Sequence, residues 1–166
     1  MTAEERVNLS RITDEPERKL VKDVLRSGVH ICHIFSPNGS EPDFSYSVGL
    51  WHTHNHPEIL IYGLKKDLRQ AVINYINDEI KLGREFSDGS SAEGVLPGFL
   101  VYFQLLPVDH YREHLGYARW FYAGNNFPTV QMLWPTTSGI YPWDACADEY
   151  LRWVQPVLTK CPPALM

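Results

Sequence analysis

The segment Phe44-Ser45-Tyr46-Ser47-Val48-Gly49-Leu50 constrains this chain more than any other, because its apolar and small residues alternate without interruption. Successive side chains of a strand point to opposite faces, so Phe44, Tyr46, Val48 and Leu50 share one face and Ser45, Ser47 and Gly49 the other. The apolar face belongs against a core, and the small face leaves room for something else. A strand over 44–51 follows. Val29 to Phe35 is a second strand, and Ser36-Pro37-Asn38-Gly39 between them is rich in turn formers, which predicts a hairpin.

Helices flank and separate the strands. Asp14-Glu15-Pro16-Glu17 is a helix start, and Leu20, Val21, Val24 and Leu25 give an inward stripe that ends at Gly28. Ile59-Leu60-Ile61-Tyr62 is a short buried strand. Asp67 is positioned to cap a helix with Leu68, Val72, Tyr75, Ile76 and Ile80 inward, stopped by Gly83. Residues 83–98 are dense in glycine, serine and proline and read as a mobile flap. Phe99 to Leu106 is a strand, Asp109 opens a third helix running to about Ala123, Phe127 to Trp134 is the last strand, and Asp144 opens a short final helix.

The pattern is α+β, a mainly antiparallel twisted sheet or partly closed barrel of about five or six strands with two or three packed helices. A parallel βαβ arrangement is the competitor, since helices separate some strands. With 166 residues, 44% of them hydrophobic and 21% charged, the chain can bury one core, so residues 1–166 are read as a single domain. Residues 1–12 and 157–166 are expected to be frayed tails.

Charge and cysteine content exclude several functions. A net charge of −5 without a run of Lys or Arg argues against nucleic acid as a partner. The charged N-terminus and the lack of a long apolar run argue against a membrane partner and for the cytoplasm. Cys32, Cys146 and Cys161 are odd in number, lack CxxC spacing and read as reduced thiols.

Several constellations could carry chemistry. In Trp51-His52-Thr53-His54-Asn55-His56-Pro57-Glu58, His52, His54 and His56 offer a metal alternative, but Asn55 and Pro57 favour a loop in which three imidazoles do not readily reach one ion. His30 and Cys32 share a strand face opposite His33, where a buried hydrophobic thiol is the simpler reading than a nucleophile. Ser45 and Ser47 lack the G-x-S-x-G elbow of serine hydrolases, and no dinucleotide or P-loop glycine motif is present. Gln131, Trp134 and Trp143, on the last strand and the turn after it, suit a pocket wall or a core edge.

These residues resemble a mostly bacterial family, domain of unknown function 4262. The likeness rests on Gly28-Val29-His30, Phe44 to Leu50, His56-Pro57-Glu58 followed by Gly63-Leu64, Phe127-Pro128, Gln131, Trp134-Pro135 and Pro142-Trp143. It implies a shared α+β fold and brings no established activity with it. The family-like pattern includes His56 and Glu58 but not His52 or His54, and Thr136 stands where an acid often follows the Trp-Pro pair.

The leading expectation is a small-molecule pocket lined by Ser45, Ser47, His56, Glu58, Gln131, Trp134 and Trp143 and closed by the 83–98 flap. If the protein is an enzyme, His56 and Glu58 are the catalytic candidates, His56 as acid/base and Glu58 to orient it or hold its proton. The alternatives are an interaction or immunity-type module with a protein partner, and a metal- or flavin-bound protein. Exposed aromatics are compatible with a homodimer.

Overall fold

A computed structural model describes residues 11–160. Along the chain lie α1 (Glu15–Ser27), β1 (His30–Ile34), β2 (Phe44–Val48), α2 (Leu50–His54), β3 (Glu58–Tyr62), α3 (Lys66–Lys81), β4 (Ser91–Leu96), β5 (Phe99–Leu105), α4 (Tyr111–His114), α5 (Gly116–Tyr122), β6 (Thr129–Leu133) and α6 (Glu149–Val154). The strands form one sheet in the order β1-β2-β3-β6-β5-β4. All neighbours are antiparallel except β3 and β6, which run parallel. The expected α+β class holds, and the sheet is mixed and open, with β1 and β4 as its edges.

Both faces of the sheet are covered. Ile59, Ile61, Val101, Phe103, Val130 and Met132 share one core with Val72, Ile73 and Ile76 of α3. Tyr46, Val48, Leu60 and Tyr62 share a second with Leu20, Val21 and Val24 of α1 and with Tyr111, Leu115, Ala118 and Phe121 of α4 and α5. A strand buried on both faces reads as a continuous apolar run, which is why Ile59 to Tyr62 shows no alternation.

Several expectations are corrected. The strand over 44–51 stops at Val48, because Gly49 at φ +116 turns the chain into α2, so Trp51 to His54 are helical and not part of a strand or loop. The presumed flap over 83–98 contains β4, a paired edge strand with Ala92, Val95 and Leu96 buried. A register shift between Ala92 and Leu96 breaks the period-two pattern that would have marked it. The third helix divides at Leu115, whose φ of −115 and ψ of 45 are not helical, and Asp109 lies in a preceding 3-10 turn.

Lys65, not Asp67, occupies the cap position of α3. Asp148, not Asp144, caps α6, accepting from the Leu151 amide. Residues 1–10 and 161–166 of the expected tails lie outside the described residues. The stretch before the second of these is docked, since Leu158 N–H donates to Gln131 Oε1 and Gln131 Nε2 donates to the Pro156 carbonyl.

Gly49 is the backbone hinge of this arrangement. A Cβ there would stand 2.8 Å from the Gly28 carbonyl oxygen and 2.9 Å from Val24 Cγ2. Left-handed strain and overpacking each cost about 1–3 kcal/mol. Gly49→Ala is therefore expected to lower unfolding stability by about 2–6 kcal/mol in urea titration. Gly116→Ala, in open space at the first position of α5, is expected to leave it unchanged or raise it by up to about 1 kcal/mol.

Candidate functional site

Glu58 opens β3, and its carboxylate is completely buried. Oε1 accepts from Ser47 Oγ at 2.7 Å and from the Leu50 amide at 3.1 Å. Oε2 accepts from the amides of Gly49 at 2.9 Å and Trp51 at 3.3 Å, and from the Tyr122 hydroxyl. α2 has no side-chain cap of its own, so Glu58 supplies the negative charge and acceptors that a helix N-terminus favours. Burial pushes the Glu58 carboxyl above its ordinary value, while its hydrogen bonds pull the other way by favouring the ionised form. The two hydroxyls are oriented for donation, because Ser47 Oγ also accepts from the Ile59 amide and Tyr122 Oη from the His52 amide.

His56 follows α2 and faces the irregular segment before β4. Its Nδ1–H donates to the Pro57 carbonyl at 2.7 Å, and Nε2 accepts from the Phe86 amide at 2.9 Å. The ring is 5% exposed, and burial holds its pKa below the ordinary histidine value. Both nitrogens are used in the neutral tautomer. The hydrogen bonds of His56 and Glu58 therefore run to different partners, and the geometry does not form an imidazole–carboxylate pair.

Ser45 belongs to a second cluster, between β1–β2 and α3. Arg69, 1% exposed, donates from Nε to Ser45 Oγ at 2.7 Å and from Nη1 to the carbonyls of Gly63 at 3.0 Å and Leu64 at 2.8 Å. Gly63 and Leu64 both take left-handed backbone angles, φ +69 and +59, a strained turn whose two carbonyls converge on the guanidinium. Nη2 is buried with no hydrogen-bond partner. Ser45 Oγ also bonds His33 Nδ1 at 2.6 Å, and His33 Nε2–H reaches Gln70 Oε1 at 3.2 Å. Since Gln70 Oε1 can only accept, Nε2 carries the His33 proton and Nδ1 accepts from the Ser45 hydroxyl. Burial lowers the pKa of both His33 and Arg69.

The remaining expected pocket residues lie apart from these clusters. Gln131 holds the segment after α6, and Trp134 Nε1 donates to the Tyr62 carbonyl at 2.8 Å. Trp143 stacks on Tyr141 with ring centroids 4.8 Å apart. Ser47 and Glu58 meet directly, but none of the described cavities is lined by the seven residues together. His52, His54 and His56 do not converge either. His54 bonds Asn77 and His56 bonds Phe86, while His52 packs edge-on to Phe121. Among the described residues no cluster suited to a metal ion is present. Cys32 is buried and its thiol is pushed up to about 12, which suits a core residue and not a nucleophile.

Arg69, His33, Gln70 and Tyr122 were absent from the expected site. Arg69 had a legible signal, because it precedes Val72, Ile73 and Ile76 at helical spacing and so lies on the buried stripe of α3. Tyr122 had none, since its meeting with Glu58 depends on how α5 crosses the sheet.

The described cavities are shallow and dispersed over the surface. One of about 420 Å³ is lined by Trp51, His52, Asn55, Phe121 and Tyr122 together with Arg11 and Ala123. A groove of about 220 Å³ beside β1 is bordered by Gln70, Asn74, Lys19 and His30. No described helix is long and apolar enough to cross a membrane.

His56 makes stability depend on pH. A buried histidine with a depressed pKa contributes stability that is fully present above its unfolded value, about 6.5, and is lost as pH falls through the folded value. Protonation would also place a second donor against the Phe86 amide. Unfolding stability of the wild type is expected to fall as pH drops below about 6.5, and His56→Gln, which keeps an acceptor but does not titrate, to show a shallower fall over the same range. Equal slopes in the two proteins would contradict this assignment.

Comparison with known proteins bears on family alone. The family model described as Domain of unknown function (DUF4262) matches residues 23–148. The chain belongs to this family. No curated protein and no solved structure matches it.

Proposed function

We propose that this family member binds a small oxyanion, either free or as the phosphate or carboxylate end of a larger molecule, with Arg69 as the anchoring group. The observation that carries the reading is a guanidinium 1% exposed, with Nη2 unbonded and no acidic partner among the described ion pairs. A cation removed from water costs several kcal/mol unless charge and hydrogen bonds compensate it. Two carbonyls and a hydroxyl compensate Arg69 only in part, and Asp43 supports its charge from a distance without a hydrogen bond.

A planar or tetrahedral oxyanion matches the open donors of a guanidinium. Ser45 holds the guanidinium in place by accepting from Nε, and turning His33 off Gln70 would free its Nε2–H as a further donor. Gln70 connects this cluster to the groove beside β1, whose volume suits an inorganic oxyanion or a short carboxylate better than a nucleotide. Half-buried His33 is bonded to Ser45 on one side and Gln70 on the other, and its rotation would open the way inward.

This reading keeps the ligand-binding expectation for Ser45 and moves the anchor away from His56 and Glu58. Those two groups are occupied in holding α2 and the irregular segment before β4. A second reading, an interaction module, is supported by the open edge of β1.

Thermal unfolding in inorganic phosphate, sulfate and acetate tests the binding reading. Ligand at about 100 times its Kd stabilises by about 2.7 kcal/mol, which for a chain of this size raises Tm by about 5–10 °C. At least one of these anions is expected to produce such a shift in the wild type and none in Arg69→Gln. Absence of any wild-type shift, or an equal shift in the variant, would overturn the reading.

A further inference from the structure

The backbone of β1 has one open side, and the hydrogen-bond pattern identifies its groups. Glu58 N–H donates to Pro128 in the direction of β6, and Gly63 N–H donates to Asp43 beside β2. Even residues of β3 thus turn their main chain toward β6 and odd residues toward β2. Partners in an antiparallel pair exchange bonds at alternate positions. Through the registers Ser45↔Ile61 and Cys32↔Tyr46, the odd residues of β2 face β3, and its even residues face His30, Cys32 and Ile34. The N–H and C=O groups of Ile31 and His33 therefore point away from the sheet. Among the described residues no strand lies on that side.

The two edges of the sheet differ in a way that matters for association. β4 carries a register shift, a left-handed glycine at Gly94 and the exposed acid Glu93, all features that discourage edge pairing. β1 pairs with β2 without a register shift through His30-Ile31-Cys32-His33-Ile34, and contains no proline, lysine or acid. Phe35, immediately after it, is 51% exposed.

We propose that β1 pairs antiparallel with β1 of a second copy of this chain, about a two-fold axis at Cys32, joining the two sheets edge to edge. This register sets Ile31 against His33 of the second copy and His33 against its Ile31, so each pair exchanges main-chain bonds through the outward groups. His30 then faces Ile34, and Cys32 faces Cys32.

Every imidazole meets an isoleucine, and no charged imidazole opposes its own symmetry mate. A shift of one residue either way about the axis would set Ile31 against Ile31 or His33 against His33, and the second of these brings like charges together below neutral pH. Continuing the register sets Phe35 of the second copy opposite Val29, which lines the groove of about 220 Å³ with Ile31 and Asn74. A groove of about 550 Å³ along the same edge is lined by Ile34, Tyr117, Glu15 and Lys19, and Lys19 and Asp23 also line the smaller groove, so each copy brings charges of both signs to the junction. The pairing does not rest on the anion-binding reading.

Sedimentation equilibrium of the full chain over a wide concentration range, combined with amide exchange at Ile31 and His33, tests the proposal. The wild type is expected to reach twice the monomer mass, with both amides exchanging more slowly as concentration rises. Ile31→Pro removes an N–H that the chain's own sheet does not use, so it is expected to keep the wild-type circular dichroism and sediment as a monomer. If that variant fails to fold, the wild-type exchange data decide alone. The proposal is overturned by a wild type that stays monomeric, by a folded Ile31→Pro that still dimerises, or by amides protected equally at every concentration, which would mean that another part of the same chain covers the edge.

Discussion

The buried carboxylate of Glu58 is the constraint on which the local architecture depends. It sits where β2 ends, α2 begins and β3 starts, and Tyr122 reaches it from α5 across the second core. A carboxylate enclosed without a cation is costly unless its lone pairs are filled. Here two hydroxyls and three main-chain amides fill them, and three of those donors are the first N–H groups of a helix turn that would otherwise be orphaned. The same contacts satisfy the acid and start the helix.

From that anchor the other features follow. Gly49 must be left-handed for the chain to bring its amide and the next two onto Glu58. α2 then ties the ends of other helices together, with Thr53 bonded to the Gly28 carbonyl after α1 and His54 bonded to Asn77 of α3. His56, emerging from α2, reaches Phe86 and fixes the approach to β4. Residues that look catalytic by type are thus engaged in holding three short connections. Among the described residues, the charged group left incompletely satisfied lies elsewhere, at Arg69.

Much of the fold was legible in the sequence because it rests on local periodicity. The stripe of Leu20, Val21 and Val24, the capping Asp14 and the alternation over Phe44 to Val48 each reflect one element and its immediate neighbours, although Leu25, read as part of that stripe, is exposed. Legibility failed where long-range contacts decide. The histidine-bearing segment after Val48 reads as a loop until a carboxylate eight or nine residues further on supplies the missing helix cap. β4 was hidden by its bulge, and α3 was read with Leu68 inward when Leu68 is exposed and Arg69 is buried. The small face of β2 did signal occupancy, but protein groups fill much of it. Ser47 receives Glu58, and Ser45 receives Arg69 and His33.

The central claim is that Glu58 acts as an ionised structural cap and not as a free acid. Denaturant unfolding of Glu58→Gln tests it most directly, because the amide keeps the size of the side chain while placing a donor where a carboxylate oxygen accepts from other donors. The variant is expected to lose at least about 1–3 kcal/mol of unfolding stability, the cost of leaving a buried donor without its acceptor. A variant as stable as the wild type would contradict the account and return Glu58 to the set of groups available for chemistry.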